Sequence, residues 1–344
     1  MPPDVSSLHK VIVIRADDKL GETLLATPVY QALREALPNA WIEAWVGQRW
    51  KSVVMGSSVI DSLLGVSFRP RGLDYLRLVQ RLRRIRPDAL LILRPDTRRY
   101  AAIARWARVP LRVGLVEHRP SMAWLLTHRA IPPVRAHQVE WNLAVAEVLL
   151  KRSLPRYSLI YTPAAEPPLP IPLRQIPPRQ YAVIHFSTGG VQPQWLPERF
   201  AQVSDWVAER YRLVPIWSAA PQDIPFAQQV ATHAHCYALN LAGKVTIEQL
   251  AVILRGARLL ISVDTGIVHL AAAVGTPCVS LHFRKDYPAY RWHAWQVPNC
   301  AVEPNTYCSG CTSTRCHLRL DACVHTITVE QVTEAVATLL DPLS

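Results

Sequence analysis

Apolar residues in this chain fall into short β-branched runs, separated by stretches where they recur every third or fourth position. Val11-Ile12-Val13-Ile14 is the first run. A turn holding Asp17, Asp18 and Gly21 follows, and helical spacing then continues through Leu37. The pattern next predicts a strand near Ile42–Val46, an amphipathic, Arg-rich helix near Leu73–Ile85, a strand at Ala89–Leu93 and a helix from Arg98. A similar series starts at Tyr181–His185, followed by the small-residue turn Ser187-Thr188-Gly189-Gly190. It predicts a helix near Glu198–Tyr211, a strand at Leu213–Trp217, and helices at Phe226–Thr232 and Ile247–Leu254. Strand Leu259–Val263, helix Ile267–Val274 and strand Cys278–Leu281 complete it. Strands alternating with helices imply parallel sheets with helices on both faces.

The two series are separated by Thr162–Gln180, which contains seven prolines and reads as an extended, semi-rigid linker. The expected organisation is a Rossmann-like domain over 1–160, a linker over 161–180 and a second Rossmann-like domain over 181–325. An amphipathic helix at Val329–Leu340, within 326–344, is expected to pack back on the first domain. Ligands of open α/β sheets bind at the carboxyl ends of the strands, so a cleft between two such ends is the expected site.

The length, 344 residues, suits two domains of ~150–170 residues. No apolar run reaches the ~18 residues of a membrane span. Met1-Pro2-Pro3-Asp4 lacks the charged-then-apolar pattern of a secretory leader, so the chain is expected to be soluble and cytoplasmic. Charge sharpens the picture. The net charge is +12, of which +11 falls in residues 1–154. An imbalance of this kind points to an anionic partner for the first half: nucleic acid, an anionic lipid surface or an acidic small substrate. Arg outnumbers Lys 32 to 6, and Arg suits bidentate grips on phosphate and carboxylate.

Ser262–His269 is the most informative local segment. An apolar strand ends at Asp264 and a helix begins at about Gly266. The first amides of that helix lack intrahelical partners and carry partial positive charge, so a phosphate can bind there without a lysine. Thr265 can add a hydroxyl donor, and His269 lies one turn in. The plainer reading makes Asp264 or Thr265 an N-cap and His269 an interior histidine. Ser187, Thr188 and Gly189 form a second turn able to cradle phosphate, although such turns are common. Asp17, Asp18 and Glu22 end the first strand, where a carboxylate can act as general base or simply favour the helix start.

Cys308, Cys311, Cys316 and Cys323 lie within sixteen residues. In a cytoplasmic chain this argues for a structural zinc or iron rather than disulfides, or else for thiols packed in a loop. Neither Gly-x-Gly-x-x-Gly nor Gly-x4-Gly-Lys-Ser/Thr occurs, which counts against dinucleotide oxidoreductases and P-loop NTPases. The basic half also lacks any helix-turn-helix, RNA-recognition or zinc-finger pattern, so nucleic acid is not the expected partner.

Several of these segments together resemble glycosyltransferase family 9, the ADP-heptose:lipopolysaccharide heptosyltransferases. The segment from Val11 to Ala40 is similar to the family's opening strand, Arg-x-Asp-x-x-Gly-Asp and helix. Residues 240–277, with Asp264-Thr265-Gly266-Ile267-Val268-His269, resemble its donor domain, and the cysteine segment resembles its C-terminal region. The resemblance implies a GT-B fold and inverting transfer of heptose from ADP-heptose to a sugar hydroxyl, with no metal at the reaction centre. It implies that Asp264, Thr265, Gly266 and His269 hold the donor, with Ser187, Thr188 and Gly189 at the other phosphate turn and Asp223 at the ribose.

Three positions depart from the pattern. Glu22 stands where the family has its catalytic Asp, with Asp18 or Asp17 nearby to compensate. Pro193, between Gln192 and Gln194, replaces a Lys two residues before Trp195. His282-Phe283-Arg284-Lys285-Asp286 replaces a Phe-Gly-Pro-Thr-Asp-like stretch, and Arg284 or Lys285 can supply the missing charge. The expected acceptor is an anionic glycolipid, the lipopolysaccharide inner core, met at the cytoplasmic face of the inner membrane. Arg69, Arg71, Arg94, Arg98, Arg99 and Arg119 are the candidate acceptor contacts. Transfer to protein hydroxyls and a non-catalytic scaffold role are the alternatives.

Overall fold

A computed structural model of the chain describes residues 8–94, 98–116, 124–189, 194–307 and 323–341. The chain divides within the proline-rich segment into two compact units, Met1–Ala164 and Ala165–Ser344.

The first unit runs β1 (Lys10–Arg15), α1 (Leu20–Leu24), α2 (Thr27–Ala36), β2 (Trp41–Gly47), β3 (Ser62–Val66), α3 (Gly72–Ile85), β4 (Ala89–Ile92), α4 (Arg98–Trp106), β5 (Leu111–Leu115), β6 (His128–Ala130) and α5 (Gln138–Leu150). Its strands form a parallel sheet ordered β3-β2-β1-β4-β5-β6. Val11–Ile14 sits at the centre, with Val11 opposite Ile42 on one side and Ala89 on the other. Helices cover both faces there, which is why the run is apolar at every position rather than alternating. The single helix expected through Leu37 is two. Pro28 lies in the first turn of α2, where its missing N–H costs nothing, and the chain turns between Leu24 and Thr27.

The second unit runs β7 (Tyr181–His185), α6 (Pro197–Tyr211), β8 (Val214–Ser218), α7 (Ile224–His233), β9 (Leu239–Asn240), α8 (Ile247–Gly256), β10 (Leu259–Val263), α9 (Gly266–Ala273), β11 (Cys278–Leu281), α10 (Ala289–Trp292), β12 (Asn299–Val302) and α11 (Val329–Leu340). The order β12-β11-β10-β7-β8-β9, read from the other edge, repeats that of the first sheet. An aromatic cluster fills the α6 side: Phe186 and Phe200 lie 4.8 Å apart and Trp195 and Phe200 5.0 Å apart, centroid to centroid. In each sheet the order reverses between the first and fourth strands of the unit, β1/β4 and β7/β10. That reversal is where open α/β sheets leave a crevice for ligands.

The final helix is built into the second unit. Val332, Ala335 and Val336 of α11 are buried in the second unit's own core, which uses up its apolar stripe. Trp195 Nε1 also donates to the Ile327 carbonyl at 2.9 Å, tying the approach to α11 into the same unit. The chain leading into the proline-rich segment is packed within the first unit. Leu159 and Tyr161 are buried, and Thr162 exchanges backbone hydrogen bonds with Val53 and Gly56. Further on, Ile171–Gln175 forms a 3-10 turn with Leu173 buried.

Helices α3, α5 and α6 close on Arg86, Lys151 and Arg212 in the left-handed region, at φ of 51°, 54° and 56°.

Candidate functional site

In the first unit the crevice at β1/β4 holds a compact cluster of buried charge. Arg15, the last residue of β1, is 2% exposed. Its Nε lies 2.8 Å from Asp17 Oδ2, and its Nη2 donates to Glu22 Oε2. Nη1 donates to the Leu93 carbonyl and, at 3.1 Å, to Asn142 Oδ1 on α5. Asn142 is fixed in turn, since its Nδ2 donates to the Leu25 carbonyl at 2.8 Å. Arg94, just past β4, pairs with the other oxygen of Asp17 and lies 4.2 Å over the Phe68 ring. Gly47, at the end of β2, lets the chain pass Asp17 closely: a Cβ there would sit 2.1 Å from the Asp17 carbonyl oxygen.

Burial pushes the Glu22 carboxyl above the usual carboxylate range and the Asp17 charge adds to this, against the lowering effect of Arg15. Burial also opposes the Arg15 charge, but Glu22 and Asp17 outweigh it and the guanidinium is held more firmly protonated than usual. Glu22 is therefore a carboxylate anchored through one oxygen, with a basicity above that of a solvent-exposed carboxylate. A general base needs that combination of fixed position and raised basicity.

Asp17 and Glu22 share this cluster, whereas Asp18 is exposed. The candidate arginines group around the loop after β3. Arg69 and Arg94 both approach Phe68, at 5.2 Å and 4.2 Å, and Arg99 donates to the Pro70 carbonyl at 3.1 Å. Arg71 precedes α3 and is exposed, as is Arg98 at the start of α4. Arg119 lies outside the described residues.

In the second unit the crevice at β7/β10 is made differently. Asp264 follows β10, and its N–H donates to the Leu281 carbonyl at 2.9 Å. Thr265 is the N-cap of α9: its hydroxyl oxygen accepts from the Ile267 amide at 3.4 Å. His269, 3% exposed, lies one turn into α9. Burial, with His282 and His293 nearby, holds its pKa down to about 3, so the ring is neutral. Among the described residues its buried Nδ1 has no hydrogen-bond partner.

A file of rings leads outward from His269. Trp292 lies 6.3 Å from it, Tyr287 stacks on Trp292 at 5.0 Å, and the Arg284 guanidinium lies 3.7 Å over Tyr287. His282 is fully buried, with Nε2 2.9 Å from Ser280 Oγ and Nδ1 3.8 Å from Asp264 Oδ2. Burial holds it down to about 4, against the opposing influence of Glu303.

Across the crevice, Ser187 Oγ accepts from the Ala220 amide at 2.8 Å, and Gly189 adopts a left-handed φ of 79°. Thr188 is half-buried beside it. Asp223 Oδ1 accepts from Gln194 Nε2 at 3.2 Å, while Oδ2 is buried with no hydrogen-bond partner among the described residues. The donor candidates thus gather at the ends of β7, β8 and β10. Gly190, Gln192 and Pro193 lie outside the described residues, as do Cys308, Cys311 and Cys316. The fourth cysteine, Cys323, donates from its thiol to the Phe283 carbonyl at 3.0 Å.

Sequence reasoning missed Arg15, Asn142 and His282 as site residues. Arg15 carried a usable signal, a lone charge closing an apolar run. Asn142 carried none, because it comes 127 residues later in the chain than the arginine it holds.

The chain is similar to known proteins across both units. Residues 75–320 match glycosyltransferase family 9 (heptosyltransferase). Lipopolysaccharide heptosyltransferase 3 of Escherichia coli is 27% identical over 286 residues, covering 80% of this chain and 83% of that protein. Among solved structures, a family 9 glycosyl transferase from Veillonella parvula superposes with a TM-score of 0.77 at 19% identity, over 98% of this chain and 99% of that one. The E. coli heptosyltransferase WaaC, solved with ADP, superposes with a TM-score of 0.71 at 16% identity, over 96% and 99%. These likenesses establish the fold as GT-B, and the match over 75–320 establishes that the chain belongs to glycosyltransferase family 9, the heptosyltransferases.

Proposed function

We propose that this heptosyltransferase takes heptose from ADP-heptose and attaches it, with inversion, to an anionic saccharide of the lipopolysaccharide inner core. The observation that carries the reading is Glu22, a buried carboxyl of raised basicity held through one oxygen by Arg15. The acceptor hydroxyl gives its proton to Glu22, and its oxygen forms a bond to the anomeric carbon. The bond from that carbon to the ADP oxygen breaks, and the electron pair leaves with ADP. The first amides of α9 and the Thr265 hydroxyl stabilise the departing diphosphate without any net charge of their own. A neutral His269 adds a hydrogen bond rather than a cation. Ser187, Thr188 and Gly189 offer a second grip, and Asp223 offers Oδ2 to a ribose hydroxyl. Arg284, braced on Tyr287, supplies the cation that Pro193 does not. On the acceptor side Arg69, Arg71, Arg94, Arg98 and Arg99 match phosphate- and carboxylate-bearing sugars. Under the same reading Cys308, Cys311, Cys316 and Cys323 would hold a structural zinc or iron through their thiolates, with no part in the transfer.

Glu22→Gln tests the assignment with purified protein, ADP-heptose and inner-core acceptor. Removing a general base lowers turnover by ~10²–10⁴-fold, and ADP affinity measured by calorimetry stays unchanged. Full activity in that variant rejects Glu22 as the base. A wild-type protein that binds ADP but transfers nothing to the core acceptor rejects the acceptor.

A further inference from the structure

The first two turns of α3 expose two leucines that the fold does not use. Leu73 is 68% and Leu76 56% exposed, and their three-residue spacing puts them on one face. The core-facing stripe of α3 is a different one, built from Val79 and Leu82 with Tyr75, Leu78 and Ile85 partly buried. Basic side chains surround the leucines: Arg69, Arg71, Arg77, Arg83 and Arg84 are exposed on the same loop and helix, against Asp74 alone. The pair Arg77–Asp74, 3.3 Å apart and open to water, neutralises little of this.

The patch is also rigidly mounted. The loop leading into α3 is pinned by Tyr100, whose hydroxyl donates to the Ser67 carbonyl at 2.5 Å, and by Arg99 on the Pro70 carbonyl. That loop carries Phe68, which lies under Arg94, and Arg94 pairs with Asp17 of the buried charge cluster.

We propose that this face of α3 docks on an anionic phospholipid bilayer. Leu73 and Leu76 enter the headgroup–acyl boundary, and Arg77, Arg83 and Arg84 meet the lipid phosphates. Apolar residues on a helix ringed by basic ones have the chemistry of an interfacial anchor. Each arginine near an anionic surface raises partitioning by about 5-fold. Two leucines and a few arginine stems offer far less than the ~800 Å² per partner of a standard protein interface, whereas a fluid bilayer needs no shape complementarity. The proposal names a surface for a protein whose acceptor is read as a glycolipid, and rests on that reading only for its biological sense, since lipid binding is measured without acceptor.

The test is co-sedimentation with phosphatidylethanolamine–phosphatidylglycerol vesicles, with pure phosphatidylcholine vesicles as the control. The wild-type protein is expected to bind the anionic vesicles and to be released by salt. Leu73→Ser/Leu76→Ser is expected to weaken partitioning by about 10-fold, with ADP affinity and turnover on a soluble, deacylated acceptor unchanged. Should that variant misfold, Arg77→Glu/Arg84→Glu provides the same test through charge. Equal binding to neutral and anionic vesicles, or undiminished binding by folded variants, overturns the proposal. So does a wild-type dimer in solution that the leucine variant dissociates, which would assign the face to a second copy. Vesicle binding with no turnover on soluble acceptor leaves the docking surface standing and strikes the proposed reaction instead.

Discussion

Replacing Arg15 by Met removes one charge and keeps most of the side-chain volume, so it isolates what that charge does. Arg15, Asp17 and Glu22 are 2%, 3% and 8% exposed, and the guanidinium is the group joining both carboxylates. Breaking a buried ion pair from one side costs about 3–5 kcal/mol, because the remaining charge has no compensation. For a unit of this size each kcal/mol lowers the melting temperature by ~2–4 °C, so the first unit should lose roughly 6–20 °C. The penalty has a pH signature. Without Arg15 the folded-state pKa of Glu22 rises further above its unfolded value. A group of that kind destabilises the fold while it is ionised and ceases to do so as pH falls through its folded pKa. The gap between variant and wild type is therefore wide at about pH 7.5 and narrows toward about pH 5.5. Calorimetry and urea titration at both pH values measure it, and Arg15→Met/Glu22→Gln should recover part of the loss. A cost under about 1 kcal/mol, or one that does not change with pH, would show that the carboxylates are not held by Arg15.

Two other tests probe neighbouring features. Gly47→Ala places a methyl 2.1 Å from the Asp17 carbonyl oxygen, so the backbone carrying Asp17 must shift. A stability loss of about 1–3 kcal/mol is expected, with a fall in kcat, read by melting and initial rates; unchanged kcat would mean that Asp17 need not be held there. In the second unit, burial depresses His185 and His282 to about 4 and His269 to about 3. Their contribution is complete above the unfolded value of about 6.5 and is lost as pH falls toward 4, by up to ~1.4 kcal/mol per pH unit for each ring. The melting temperature should drop steeply below about pH 6, and a flat profile from neutral to about pH 5 would contradict their burial as neutral rings.

The legible parts of the molecule were those whose physics is local. β7, β10 and β11 lie between helix-covered neighbours and read as mostly apolar runs, each with a single Ser or His, so their limits were visible. β3, β6 and β9 flank or form sheet edges, where one side is wet and the runs are short, and they left no pattern. α5 escaped notice for the opposite reason: it is apolar around most of its circumference, so no helical period stands out. The candidate sites divide in the same way. Asp264 to His269 is one contiguous strand end and helix start, readable as a phosphate-binding device from six letters. The first unit's cluster draws Arg15, Glu22, Arg94 and Asn142 from four elements, and only the folded chain brings them together.

The left-handed residues that close α3, α5 and α6 point to an unspent margin of robustness. A side chain in that conformation strains the backbone by ~1–2 kcal/mol, while a basic charge at a helix end recovers only a few tenths to one. Arg86→Gly, Lys151→Gly and Arg212→Gly should each raise stability by up to about 1 kcal/mol and combine additively, as separated sites do. All three lie at helix carboxyl ends, which the parallel architecture puts at the edge of each sheet away from the strand ends that carry the chemistry. The enzyme can therefore be hardened there for heat or storage while its kinetics stay as they are, which a thermal melt and an initial-rate assay on the triple variant would measure together.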